Sequence, residues 1–266
     1  MKRLTWVTDI HLNFLTREQV EAFCRRITEA NPSALLISGD IAEAHNVEPY
    51  LRILELMLQL PIYFVLGNHD YYRGSVPVVR EAMRKLTARS PFLRWLPAAG
   101  VVELTPQTAL VGHDGWADGR LGDYEHSPVI LTDYVLIKEL SGLDRAARLK
   151  RLHAFGDEAA AHLEEVLPRA LERFPNVLFL THVPPFKEAC WHAGRISNDE
   201  WLPHFTCAAV GETLLRIMRA HPTRNLTVLC GHTHGHGRAQ LLPNLLALTG
   251  GAAYGAPQLQ DALIVE

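Results

Sequence analysis

Short apolar runs alternate with amphipathic stretches along most of the chain, and that rhythm predicts an α/β architecture. Leu4-Thr5-Trp6-Val7-Thr8 reads as a buried strand. Thr16 and Gln19 have capping-box spacing for a helix running to about Ala30, where Asn31-Pro32 stops it. Ala34–Ser38 is the next strand, followed by a helix from about Val47 to Leu60 that tolerates Pro49 in its first turn. Pro61 opens the strand Ile62–Leu66, a helix covers Val76 to Ala88, and β-like runs follow at Val101–Leu104 and Thr108–Val111. A helical stretch from about Asp144 to Arg173, with Pro168 near its end, leads into the strand Val177–Leu180. A helix ending near Ala220 precedes the strand Leu226–Cys230, and β-like runs at Leu245–Leu248 and Ala262–Val265 complete the chain.

Two segments break the rhythm. From His113 to about Ser141, glycines at 112, 115, 119 and 122 interrupt the pattern, with Trp116, Tyr124 and His126 between them. This is a long loop or cap, and long loops in compact domains tend to be functional. The second runs from Pro184 to about Phe205. With no internal repeat, low-complexity tract or linker, residues 1–266 read as one domain carrying a cap or loop insertion around 113–141.

Composition narrows the function classes. A chain of 266 residues can bury one sizeable core, and its apolar and charged fractions are those of an ordinary globular protein. The net charge of −3 leaves no broad basic field, which counts against a nucleic-acid partner. Met1-Lys2-Arg3-Leu4 runs straight into a strand, and no apolar run approaches the ~20 residues a bilayer requires, so a cytoplasmic protein without a membrane partner is expected. Cys24, Cys190, Cys207 and Cys230 form no CxxC pair and read as reduced thiols in or near a core. The anomaly is histidine, of which there are 14.

The positions of those histidines carry the argument. The first strand is followed by Asp9-Ile10-His11, the second by Gly39-Asp40, and the third by Gly67-Asn68-His69-Asp70. Thr181-His182 follows the strand ending at Leu180, and Gly231-His232-Thr233-His234 follows the one ending at Cys230. One such end is an ordinary turn or helix cap; five in one chain are hard to read as independent turns. Asp, Asn and His suit divalent cations, and open α/β sheets bind ligands beyond the carboxyl ends of their strands. An extended backbone would point Asp9 and His11 the same way, and likewise His232 and His234. Glycines 39, 67 and 231 would let the chain turn sharply and bring the ligands close.

This set, spanning residues 9 to 234, resembles the calcineurin-like metallophosphoesterase superfamily. The resemblance implies a four-layer α/β/β/α sandwich with two mixed β-sheets and a dinuclear metal site at the strand ends. It implies that Asp9, His11 and His234 bind one cation, that Asn68, His182 and His232 bind the other, and that Asp40 bridges both. His69 would stabilise the transition state or protonate the leaving oxygen, with Glu43 or Asp70 orienting it. The reaction implied is attack of a metal-bridging hydroxide on a phosphate ester, the two ions clamping the phosphoryl group. Manganese is the first choice of metal, with iron, zinc or magnesium also suited. The second motif reads Gly39-Asp40-Ile41-Ala42-Glu43, without the arginine of the protein serine/threonine phosphatases, and the third ends in Asp70 where those have glutamate. The chain therefore looks closer to the bacterial small-molecule phosphodiesterases and phosphatases.

Loop residues beside these motifs are candidates for substrate contact. Arg120 or Arg195 would meet phosphate, Trp116 or Tyr124 would stack on a base or aromatic leaving group, and His113 and His192 would line the pocket. His236, which extends the run to GHTHGH, reads as lying outside the ligand set. The expected partner is a small-molecule phosphodiester; a phosphomonoester is the alternative, and a scaffold that has lost catalysis is weakened by its full set of ligands.

Overall fold

The computed structural model describes residues 1–266 as two β-sheets packed face to face between helices. The first sheet has five strands: β1 (Lys2–Val7), β2 (Ala34–Ser38), β3 (Ile62–Val65), β4 (Leu93–Trp95) and β13 (Leu263–Val265), in the order β13-β1-β2-β3-β4. The second has six: β5 (Val102–Thr105), β6 (Thr108–Gly112), β7 (Asn176–Leu180), β10 (Asn225–Cys230), β11 (Gly237–Leu242) and β12 (Leu245–Thr249), in the order β11-β12-β10-β7-β6-β5. The central strands of each are parallel, while β13, β11 and β5 pair antiparallel at or near the edges.

Period-two alternation in these strands builds the layers. In β2, Leu35 and Ile37 face a helix-covered core while Leu36 faces the other sheet. In β7, Val177 and Phe179 pack beneath helices while Leu178 and Leu180 point inward. The inter-sheet layer also takes Leu4, Trp6, Leu110 and Leu229. Helices α1 (Arg17–Glu29), α2 (Val47–Leu58) and α3 (Val76–Arg89) cover the first sheet; α6 (Arg145–Arg173) and α8 (Ala208–Ala220) cover the second. This is the four-layer sandwich expected. The α1 capping box is present, Thr16 Oγ1 accepting from Gln19 N and Gln19 Oε1 from Thr16 N.

Several short elements escaped the periodicity: β4, the four-residue helices α4 (Leu96–Ala99), α5 (Asp133–Leu136) and α7 (Leu202–Phe205), and the hairpin β8 (Trp191–His192) with β9 (Arg195–Ile196). Each is too short to establish a period. All four cysteines are buried and free, and no helix is long and apolar enough to cross a membrane.

Candidate metal centre

The loops after β1, β2, β3, β7 and β10 meet at one place. Asp9 N donates to Gly39 O at 3.1 Å and His11 N to Asp40 O at 3.0 Å, so the first loop is docked on the second. Gly231 N donates to the carbonyl of His182 at 2.8 Å, and Thr181 N to Leu229 O at 3.0 Å. Extended backbone does not produce this convergence. Asp9, His11, Asp40, His232 and His234 all have positive φ, between 40° and 69°, making up five of the nine non-glycine residues in that region. Left-handed backbone costs an L-residue free energy and persists only where the surroundings fix it, so clustering of such residues marks a functional site. The glycine argument holds at Gly67, where a Cβ would lie 2.2 Å from Asp40 Oδ1.

Two groups of side chains face the Asp40 carboxylate from opposite oxygens. Its Oδ2 lies 3.7 Å from His11 Nε2, which in turn lies 3.4 Å from His234 Nε2. His234 Nε2 is 3.3 Å from Asp9 Oδ1. Asp40 Oδ1 lies 3.4 Å from His182 Nε2, which is 3.0 Å from Asn68 Oδ1. His232 Nδ1 also stands 3.0 Å from Asn68 Oδ1. Asp9, His11, Asp40 and His182 are all buried.

The ring tautomers show that this donor set fits cations. His182 Nδ1 lies 2.8 Å from Ser38 O and His232 Nε2 lies 3.2 Å from His204 O, so each of these nitrogens carries the proton. His232 Nδ1 then presents a lone pair to Asn68 Oδ1, itself an acceptor, and so does His182 Nε2 whenever it carries no proton. Acceptors that face one another need a cation between them, or a proton on one of them. His11 Nδ1 is buried without any partner.

Electrostatics follow from the same crowding. Burial works to raise the Asp40 carboxyl, but His182, His69 and His11 hold it well below the usual carboxylate range. Burial likewise opposes ionisation of Asp9, while His182 and His234 lower it overall. Burial pushes His11 down to about 4, and burial with the nearby His182 does the same to His232. Burial would also lower His182 and His234, but Asp40 and Asp9 raise His182 to about 10, and Asp9 with Asp40 raises His234.

His69 sits at the edge of this cluster, Nε2 3.8 Å from Asp40 Oδ2, its ring stacked on Tyr72 at 4.2 Å between centroids. Neither carboxylate expected to orient it does so. Asp70 is fully buried and accepts from the N–H groups of Ile41, Ala42 and Gly67 at 2.8–3.0 Å, tying the second loop to the third. Burial and the neighbouring Asp40 push its carboxyl up to about 8. Glu43 instead pairs with Arg73 and approaches His45 at 3.8 Å.

The cleft over these residues has a volume of about 280 Å³ and is lined by Asp40, Asn68, His69, His232 and His234, together with Tyr72, Leu131–Asp133, His192, Phe205 and Tyr254. Of the six substrate candidates, His192 alone lines it, with its Nδ1 2.9 Å from Thr233 O. Trp116 is buried between Tyr71 and Phe155 in the helix-covered core, so it cannot stack on a ligand. Tyr124 is buried against His204. His113 is buried beside His162 with its Nδ1 accepting from Gly115 N, away from the cleft. Arg120 is bound to Asp118 and Asp157, and Arg195 stands exposed on the β8–β9 hairpin. His236 is exposed.

Sequence reasoning missed Tyr72, Asp133 and Tyr254. Asp133 Oδ1 accepts from Asn68 Nδ2 at 2.9 Å and from Tyr72 Oη at 2.7 Å. Nothing in its local sequence marked it, because its partners lie more than sixty residues away.

A family model described as calcineurin-like phosphoesterase matches residues 2–236. A protein named a probable cyclic nucleotide phosphodiesterase, from Pseudoalteromonas sp. (strain SM9913), is 32% identical over 81 residues, 26% of this chain and 31% of that protein. A transmembrane protein with a metallophosphoesterase domain from Danio rerio is 31% identical over 81 residues, 28% of this chain and 18% of that protein. The match thus spans less than a third of either relative's length. Among solved structures, a dimetal phosphatase from Danio rerio superposes with a TM-score of 0.58 at 15% identity, covering 94% of this chain and 87% of that one. A phosphopantetheinyl hydrolase from Mycobacterium tuberculosis gives 0.64 at 14% identity, covering 93% and 89%. At those identities the likeness is one of fold.

Proposed function

This chain belongs to the calcineurin-like phosphoesterase family, and from that premise we propose that it hydrolyses a small-molecule phosphodiester with two divalent cations, manganese first among them. The observation that carries the dinuclear reading is Asp40, whose two oxygens face separate ligand groups, His11 from one and His182 from the other. Asp9, His11 and His234 would hold one cation, Asn68, His182 and His232 the second, and Asp40 both. The diester preference is supported by the 81-residue likeness to the Pseudoalteromonas protein.

Cations held by these residues would supply positive charge for the phosphoryl oxygens and would lower the pKa of a water. The chain's own residues do the rest. Ser38 O and His204 O fix the tautomers of His182 and His232, keeping their lone pairs aimed inward. Tyr72 stacks on the His69 ring at the cleft, and His69 would give a proton to the leaving oxygen. Leu131, Thr132 and Asp133 close one side, which supports reading 113–141 as an insertion that caps the site. Four buried free thiols suit a reducing compartment, and we read the protein as cytoplasmic.

The test is hydrolysis of bis(p-nitrophenyl) phosphate and p-nitrophenyl phosphate by metal-stripped protein resupplied with manganese, alongside Asp40→Asn. Metal-dependent turnover that favours the diester and is lost in the variant is expected. Preference for the monoester would make the protein a phosphomonoesterase. No turnover of either, with metal bound and the fold intact, would sink the proposal.

A further inference from the structure

Phe14, Trp201 and Tyr254 are the three aromatic side chains among the exposed large apolar residues, and all three lead to the metal cleft. The Phe14 ring lies 5.9 Å from His11. Tyr254 lies 4.5 Å from His11 and 4.9 Å from His234. Trp201 reaches the site only through Phe205, which meets His232 at 5.1 Å. Isolated exposed aromatics need no explanation, but two that pack on the histidines of one polar cleft do.

Phe14 and Tyr254 also form a pair. They come from opposite ends of the chain, the turn after Asp9-Ile10-His11 and the irregular stretch after β12, and meet edge to face at 5.3 Å and 76°. That is a favoured geometry for two rings, yet 54% and 55% of the two residues stay open to solvent. Tyr254 itself lines the cleft. The cleft's volume of about 280 Å³ is near the low end for small-molecule sites, and Tyr254 stands on its lining. A substituent on phosphorus that leaves the cleft on the His11–His234 side meets Tyr254, with Phe14 packed beside it.

We propose that Phe14 and Tyr254 form a subsite that stacks a planar aromatic substituent of the phosphate ester, a nucleobase or a simple aryl ring. This rests on the phosphoesterase reading of the cleft. It moves the stacking role from Trp116 and Tyr124, which are buried, to two rings with exposed surface.

The experiment is equilibrium binding to manganese-loaded protein of probes that resist hydrolysis: phenylphosphonate and methylphosphonate, with adenosine 5′-phosphorothioate as the nucleobase arm. The planar probes should bind roughly tenfold tighter than methylphosphonate, the scale of one stacked ring. That preference should fall toward unity in Tyr254→Ala, weaken in Phe14→Ala and survive in Tyr254→Phe. Preference for phenylphosphonate alone assigns the subsite to aryl esters; preference for the adenosine probe alone assigns it to nucleotides. A wild-type protein that binds all three equally, or a preference that persists in Tyr254→Ala, would overturn the subsite and leave the phosphoesterase reading standing. Failure to bind any of them with metal in place would overturn both.

Discussion

The Asn68 amide is locked by Asp133: Nδ2 donates to Asp133 Oδ1 at 2.9 Å, which turns Asn68 Oδ1 toward His182 and His232 at 3.0 Å each. Tyr72 Oη donates to the same Asp133 oxygen at 2.7 Å. A residue in the 113–141 segment thereby sets the orientation of a side chain at the metal centre.

Asp133→Ala should accordingly weaken metal binding. With the amide free to rotate, its donor face can turn inward, and loss of such a supporting partner costs roughly 10–100-fold in affinity. Asp133→Asn keeps an acceptor oxygen and should recover most of the loss. Metal titration of the stripped protein measures both; equal affinity in wild type and Asp133→Ala would show that Asn68 orients itself.

His182 makes metal loading depend on pH. Its pKa, about 10 in the metal-free fold, leaves it protonated at neutral pH, and that proton must leave before Nε2 can bind a cation. Loading should therefore release protons and tighten as pH rises toward about 10. Calorimetry in buffers of different ionisation enthalpy reads the proton directly. The metal-free fold should show the opposite trend. Because the folded pKa lies above the ordinary 6.5, the stabilisation from protonated His182 is complete below that pH and is lost as pH rises through about 10. The thermal midpoint of stripped protein should fall over that interval, and a flat profile would contradict the assignment of the proton.

Gly67→Ala tests how closely the loops must approach. Its Cβ would fall 2.2 Å from Asp40 Oδ1 and 2.5 Å from Asp40 N, so the carboxylate between the two ligand groups must move. Displacement of about 1 Å at a reacting centre costs on the order of a hundredfold in rate. The variant should stay folded, lose turnover on that scale, and bind less metal per protein. Unchanged turnover would mean that Asp40 tolerates the shift.

The sequence carried the architecture because buried strands here are short unbroken apolar runs that end in Asp, Asn or His, as Leu35-Leu36-Ile37 before Gly39-Asp40 shows. It also carried the residues that gather round Asp40. It misjudged how they gather, since nothing local in Asp9-Ile10-His11 reveals that both ends adopt left-handed backbone. Partners chosen by nearness in sequence fared worst. Glu43 and Asp70 flank the motifs yet bind Arg73 and backbone N–H groups, while the carboxylate that reaches Asn68 comes from Asp133. Contacts across long loops have no periodic signature, so the sequence of the 113–141 segment shows the chemistry of its residues and not their burial. Trp116 and Tyr124 looked like a binding surface and turned out to be core.

Arg120 separates those two kinds of role most directly. A loop arginine near a phosphate site suggests an anion contact, but its Nη1 lies 2.9 Å from Asp118 Oδ2 and its Nη2 2.6 Å from Asp157 Oδ1. Asp118 is fully buried and also accepts from Ala209 N at 2.9 Å, joining the loop to the start of α8. Removing the guanidinium leaves that buried carboxylate its backbone donors but no counter-charge, a loss of roughly 1–3 kcal/mol. Arg120→Ala should therefore lower the unfolding midpoint in denaturant while KM for the preferred ester stays within about twofold, since no contact with substrate is removed. A variant of unaltered stability whose KM rose severalfold would return Arg120 to the substrate.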